Sequence, residues 1–166
     1  MMIDHSLVFD SVRRGYLEFA EASNEEIIDY FSAIEPESAA GHASHIKGIL
    51  FEQAYVDVLA TQGIEAQIFE ATNHPITDLA ILQDGEVINE LQLKATDSAG
   101  YVNAAIEDYP DVDFVVTSEV ALQLDSELVI DSGIENAVLD QAVSDTLFSE
   151  AVSPFSALGW LFGLPF

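Results

Sequence analysis

Two strand-like runs dominate the middle of the chain. Thr77-Asp78-Leu79-Ala80-Ile81-Leu82 and Glu86-Val87-Ile88-Asn89-Glu90-Leu91-Gln92-Leu93-Lys94 are joined through Asp84-Gly85. Asp-Gly between two apolar runs is a strong local signal for a β-hairpin. Side chains alternate faces along a strand, so Glu90, Gln92 and Lys94 project to one side and Leu91 and Leu93 to the other. The return through the turn brings Asp78 beside that polar row. A carboxylate, an amide and an ammonium on one sheet face can hold a divalent metal and a water next to a phosphodiester.

The flanking sequence supplies the layers for such a sheet. Residues 1–40 read as helical and acidic, with Ser23-Asn24-Glu25-Glu26 forming a capping-box pattern and Pro36 ending that helix. A small-residue connection over 37–41 leads to a helix from about Ala43 to Gln62, whose apolar stripe is Ile46, Ile49, Leu50, Ala54, Val58 and Leu59. Gly63 closes it. The strands are expected at Ile64–Ala71, Thr77–Leu82 and Glu86–Ala95. Thr96-Asp97-Ser98 caps a helix to about Asp108, and Pro110 breaks it. Asp113–Ser118 is a short buried strand, extended by Val120–Leu124. Val129-Ile130 reads as an edge strand, and a last helix covers Ile134–Phe148. The expectation is an α/β fold of one domain over 1–166: an αβββαβ core at about 43–120 with a mixed central sheet, an N-terminal helical region at 1–40, and a C-terminal helix and apolar tail at 134–166.

Charge restricts the partners. The formal net charge is −26, and the only Lys and Arg are Arg13, Arg14, Lys47 and Lys94. Nucleic-acid binding rests on such residues displacing counterions from phosphates, so this surface repels nucleic acid at ordinary ionic strength. Three circumstances resolve the conflict: a salt-rich cytoplasm that screens the charge, a partner subunit that supplies the basic surface, or no nucleic-acid role at all. The chain has no cysteine, which excludes disulfides and thiolate zinc sites. No basic and apolar leader pattern opens it, so the expected location is cytoplasmic. The tail Phe155–Phe166 is too short to span a bilayer, which leaves a core contact, a dimer contact or an interfacial anchor for it.

With those elements in place, the chain resembles the PD-(D/E)xK nuclease superfamily, a restriction-endonuclease-like fold. The resemblance covers about 45–118 and rests on four pieces in order. Lys47-Gly48-Ile49-Leu50-Phe51-Glu52 matches a helix motif of many members. Pro75-Ile76-Thr77-Asp78 stands at the second strand, with the proline two positions further from the acid than usual. Gln92-Leu93-Lys94 stands on the third, with Gln where Asp or Glu is commonest. Gln-x-Lys occurs in a homing-endonuclease-like branch and in a transposase-associated endonuclease. The resemblance implies a DNA endonuclease using Mg²⁺ or Mn²⁺, with Asp78 as main metal ligand, Glu52 binding through a water or anchoring a second ion, Glu90 substituting for the missing acid, and the Leu93 carbonyl completing the shell. Lys94 would position and polarise the attacking water, and Lys47 would be auxiliary. A homodimer would allow two strands to be cut.

Other readings stand beside these. Asp78 alone is also an ordinary strand-start residue, Lys94 a structural ion-pair partner of Glu90 or Asp78, and Glu52 a solvated helix residue. His42 and His45 share a helix face but lack a third ligand, and His74 reads as a loop residue. Ser118, Ser126 and Ser153 lack a nucleophile elbow, and no phosphate-binding glycine loop is present. The same fold without catalysis would be an acidic interaction module, binding a basic protein as an immunity protein or DNA mimic does.

Overall fold

Asp4 starts the first helix by accepting from the Ser6 amide at 2.8 Å, and α1 runs His5–Gly15. The structure, a computed structural model, describes residues 2–69 and 76–148. Helix α2 (Asn24–Ala33) begins with the expected capping box: the Glu26 amide donates to Ser23 Oγ at 3.2 Å, and the Ser23 amide donates back to the Glu26 carboxylate at 3.4 Å. Helix α3 (Pro36–Thr61) starts earlier than its apolar stripe indicated. Pro36 opens this helix, and the residues read as a connection over 37–41 are its first turns. Proline suits the first helical position, where no backbone amide is needed, and the Ser38 and Ala39 amides donate to Glu35 O.

Five strands and three more helices follow: β1 (Glu65–Ile68), β2 (Leu79–Gln83), β3 (Glu86–Lys94), α4 (Ala99–Asp108), β4 (Asp113–Val116), α5 (Ser118–Ala121), β5 (Val129–Asp131) and α6 (Asn136–Leu147). The described residues thus form a mixed α/β fold with one five-stranded sheet. Two compact units divide it. One holds residues up to Leu50 together with those from Ala137 onward; the other is Phe51–Asn136.

In the first unit, Val8, Phe9, Val12, Ile27, Phe31 and Ile46 are buried. Phe31 packs edge-on against Phe148 and His42, with ring centroids 5.8 and 5.9 Å away. In the second unit the strand order is β1-β2-β3-β4-β5. β1, β2 and β3 are antiparallel neighbours; β3, β4 and β5 run parallel, with α4 as the first crossover. The hairpin turn has φ 54° at Asp84 and 82° at Gly85, the two left-handed residues that a type I′ turn requires. Leu82 pairs with Val87, but Ile81 pairs with Asn89, so β3 carries one extra residue as a bulge.

Val102 of α4 and Phe114 and Val116 of β4 form a fully buried cluster with Val120. The sequence pattern at Val120–Leu124 suggested strand. Instead the Val120 and Ala121 amides turn back to Thr117 O, which drops Val120 into this cluster and leaves Leu122 exposed. Burial of one apolar side chain decides the local structure there over the β-propensity of the run. Phe114→Ala is expected to destabilise the protein by about 3–5 kcal/mol in urea denaturation, the range for emptying a buried aromatic site; a loss under about 1 kcal/mol would show that this cluster is not a packed core.

Candidate functional site

Asp78 lies just before β2, and its backbone is fixed on both sides. Its amide donates to Leu91 O at 2.8 Å, and its carbonyl accepts from the Phe69 amide at 3.0 Å. Its carboxylate then takes a place in the sheet's ladder: Oδ2 accepts from the Leu93 amide at 2.8 Å. Burial pushes the Asp78 carboxyl above its ordinary value, and the Leu93 amide and the charge of Lys94 pull against that rise without cancelling it. A carboxylate held by its environment against its own ionisation is a recurrent mark of functional sites.

The Gln-x-Lys row continues on β3. Leu91 and Leu93 are buried while Glu90, Gln92 and Lys94 are half-buried, the alternation expected from the sequence. Gln92 Oε1 is buried and has no hydrogen-bond partner among the described residues. Such an acceptor costs free energy unless something fills it. The Lys94 ammonium donates to the Tyr101 hydroxyl at 3.4 Å and sits 5.1 Å from that ring's centroid. It makes no ion pair within 4.0 Å with Glu90 or Asp78, so the ion-pair alternative for Lys94 is not realised. Its charge reaches Asp78 through space.

Glu90 is half-buried and its Oε1 accepts from the Thr77 hydroxyl at 3.2 Å. Glu52 is half-buried on α3, next to fully buried Phe51. Among the described residues, no three or more His, Asp or Glu side chains come close enough to hold a metal. What the structure brings together is Asp78, the Leu93 amide and Lys94, with Gln92 just before Leu93 on the strand. Lys47 belongs to the other unit, where it pairs with Asp140 at 3.0 Å. His42 meets the Tyr16 hydroxyl through Nδ1 at 2.6 Å, and His45 packs edge-on to the same ring at 5.3 Å. Pro75, His74, Ser153 and the tail 155–166 lie outside the described residues.

Two contributors were missed from the sequence. Tyr101 stands in the first turn of α4, and the short link from Lys94 to the Ser98 cap folds it back over the lysine. A tyrosine in the first turn of a helix that follows a candidate lysine strand is the signal that could have found it. Thr77 offered no such signal. A cavity of about 550 Å³ in the first unit, lined by Ile3, His5, Val138, Gln141 and Asp145 among others, includes none of these site residues. No helix of the described residues is long and apolar enough to cross a membrane.

Comparisons with family models, with curated proteins and with solved structures found no match.

The carboxyl of Asp78 is easier to protonate in the folded chain than in the unfolded one. Ionised Asp78 therefore costs stability at neutral pH, and the cost disappears below its ordinary value of 3.8, where both states are protonated. Asp78→Asn keeps an acceptor for the Leu93 amide and removes the charge. It is expected to stabilise the fold at pH 7 by about 0.5–2 kcal/mol and to give no gain near pH 3. Thermal unfolding at the two pH values checks this; a variant that is less stable at pH 7 would show the ionised form to be favoured by the fold.

Proposed function

We propose that the chain is a metal-dependent phosphodiesterase of the PD-(D/E)xK nuclease type, with Asp78, Gln92 and Lys94 as its working residues and the αβββαβ order of α3 to β4 as its core. The observation that carries this reading is a half-buried, reluctant carboxylate at the head of β2, with an orphaned amide oxygen and a lysine on the neighbouring strand. Asp78 and Gln92 Oε1 are hard oxygen donors. The Leu93 carbonyl shares an edge of β3 with the amide that holds Asp78, because a strand residue directs both backbone groups to the same neighbour. That donor chemistry fits Mg²⁺ or Mn²⁺, which take oxygen ligands and keep several waters. Glu52 and Glu90 would act as outer carboxylates, contacting waters rather than completing a three-acid set.

When bound, the ion supplies a Lewis acid for the phosphoryl oxygens. The chain's own groups do the rest. Asp78 is pinned by the Leu93 amide and cannot swing away from its post. Lys94 presents an ammonium that offsets charge developing at the phosphate and orients the attacking water. Gln92, being neutral, leaves the site with one fewer negative charge than a second carboxylate would, which weakens ion binding but eases the approach of an anionic ester.

Asp78→Ala and Lys94→Ala are each expected to lower Mn²⁺-dependent hydrolysis of bis(4-nitrophenyl) phosphate at least about 100-fold, with unchanged circular dichroism. If both variants hydrolyse the ester as well as the parent, the assignment is wrong.

A second reading rests on the charge. A chain with net charge −26 also suits an acidic interaction module that captures a basic protein, with the same sheet and no catalysis. Calorimetry with Mn²⁺ separates the two: saturable heat that vanishes in Asp78→Asn supports the enzyme, whereas no heat from the parent supports the module.

A further inference from the structure

Lys94 is the only Lys or Arg between Phe51 and Asn136, against eighteen Asp and Glu. The other three basic residues belong to the first unit, where Arg13 pairs with Asp10 at 3.1 Å and Lys47 with Asp140 at 3.0 Å. A single nucleic-acid strand carries a phosphate about every 3.4 Å, and its affinity for proteins comes from neutralising several of them with Lys and Arg. The unit that holds the site has one cation for the whole task. The other charged side chains of that unit are all carboxylates, which repel further phosphates.

The neighbourhood of Lys94 offers something other than charge. Tyr101 is 56% exposed, and the Lys94 ammonium sits over one face of its ring. An aromatic face binds a nucleobase without needing charge and with little regard to its identity. One ammonium and one open ring match one phosphate and one base.

We propose that this site acts on small phosphodiesters, of the size of a linear or cyclic dinucleotide, and not on polynucleotides. The inference rests on the phosphodiesterase reading and adds the substrate class. In the reaction, the oxygen of water forms a bond to phosphorus and one phosphorus–oxygen ester bond breaks. The released alkoxide takes up a proton, and the proton lost by the water passes to solvent, leaving a phosphomonoester and an alcohol. Lys94 sits at the reacting phosphate and Tyr101 under the adjacent base. Tyr101 is thus a specificity-determining residue, and it also positions the lysine.

The test compares three esters with the full chain and Mn²⁺: bis(4-nitrophenyl) phosphate, a thymidine dinucleotide, and a thymidine strand of about forty nucleotides, in potassium chloride from about 0.05 to about 1 M. The expected result is a kcat/KM per scissile bond at least about tenfold higher for the dinucleotide than for the strand at the lowest salt. The dinucleotide's log kcat/KM should fall with log salt no more steeply than about −0.7, the slope for one phosphate contact on a single strand, while cleavage of the strand rises as salt screens the carboxylates. Tyr101→Ala should raise KM for the dinucleotide about tenfold, with Tyr101→Phe restoring most of it. A readout free of catalysis is the binding of the dinucleotide to Asp78→Asn without metal, followed through the Tyr101 ring resonances; those shifts should disappear in Lys94→Met. A strand cut faster than the dinucleotide, with a slope of about −3 or steeper, would overturn the substrate class while leaving the phosphodiesterase intact. No hydrolysis of any of the three esters would remove the phosphodiesterase reading and this inference with it.

Discussion

At the head of β2 the ladder of the sheet passes from backbone to side chain: the Leu93 amide donates to Asp78 Oδ2, where a longer strand would have offered a carbonyl. That substitution couples the site to the fold. The strand cannot move without moving the carboxylate, and the carboxylate cannot turn away without leaving a buried amide unpaired, at about 1–3 kcal/mol. Burial works against the charge at the same time, since the Asp78 carboxyl is pushed upward despite the amide and Lys94. A group kept in place while its ionised form is disfavoured gains from the arrival of a positive charge.

Register decides whether such a site exists, because a slip of one residue exchanges the two faces of a strand. The type I′ turn closes Gln83 against Glu86 and Leu82 against Val87. Continued without interruption, that ladder would set Leu79 opposite Glu90. The extra residue at Ile88 shifts the pairing by one, so that buried Leu79 faces buried Leu91 and Ala80 faces Glu90. The bulge lies on the exposed arm of the hairpin, where Val87 and Ile88 are both open to solvent. It absorbs the mismatch where packing is least affected, and the ladder is in step again by the time it reaches Asp78.

Local chemistry was legible in the sequence wherever one short motif has one structural meaning. The Asp84-Gly85 turn, the Ser23/Glu26 capping box, the Ser98 cap and the Leu91/Leu93 alternation appear in the structure as they read. The failures share a cause: the same residues serve two roles, and distant contacts choose between them. Pro36 follows the end of α2 as read, but it also opens α3, where a connection over 37–41 was expected, because Glu35 O is placed to receive the following amides. Val120 in an apolar run fits a strand or a helical turn equally well, and the cluster around Phe114 selects the turn. The bulge at Ile88 leaves no local mark, since it satisfies a pairing made on another strand. At the site, Asp78 and the Gln92–Lys94 row were visible as residue types, whereas the role of Tyr101 depends on how the link after β3 returns.

Lys94 illustrates why that return matters. An ammonium alone among carboxylates is attracted to all of them, and the lowest-energy choice in a low-dielectric setting is a close pair with the nearest. Such a pair with Asp78 would draw the carboxyl down, cover its oxygens and close the site. Tyr101 offers the ammonium a hydroxyl acceptor and a ring face instead. These are weaker than a buried ion pair, but they do not require stripping water from a second charge, which is the main cost of burying one. The lysine is thereby held near enough to act on Asp78 through space and far enough to leave it accessible. In a protein with so few cations, the residue that restrains this one determines whether the acid beside it is a structural anchor or a working group.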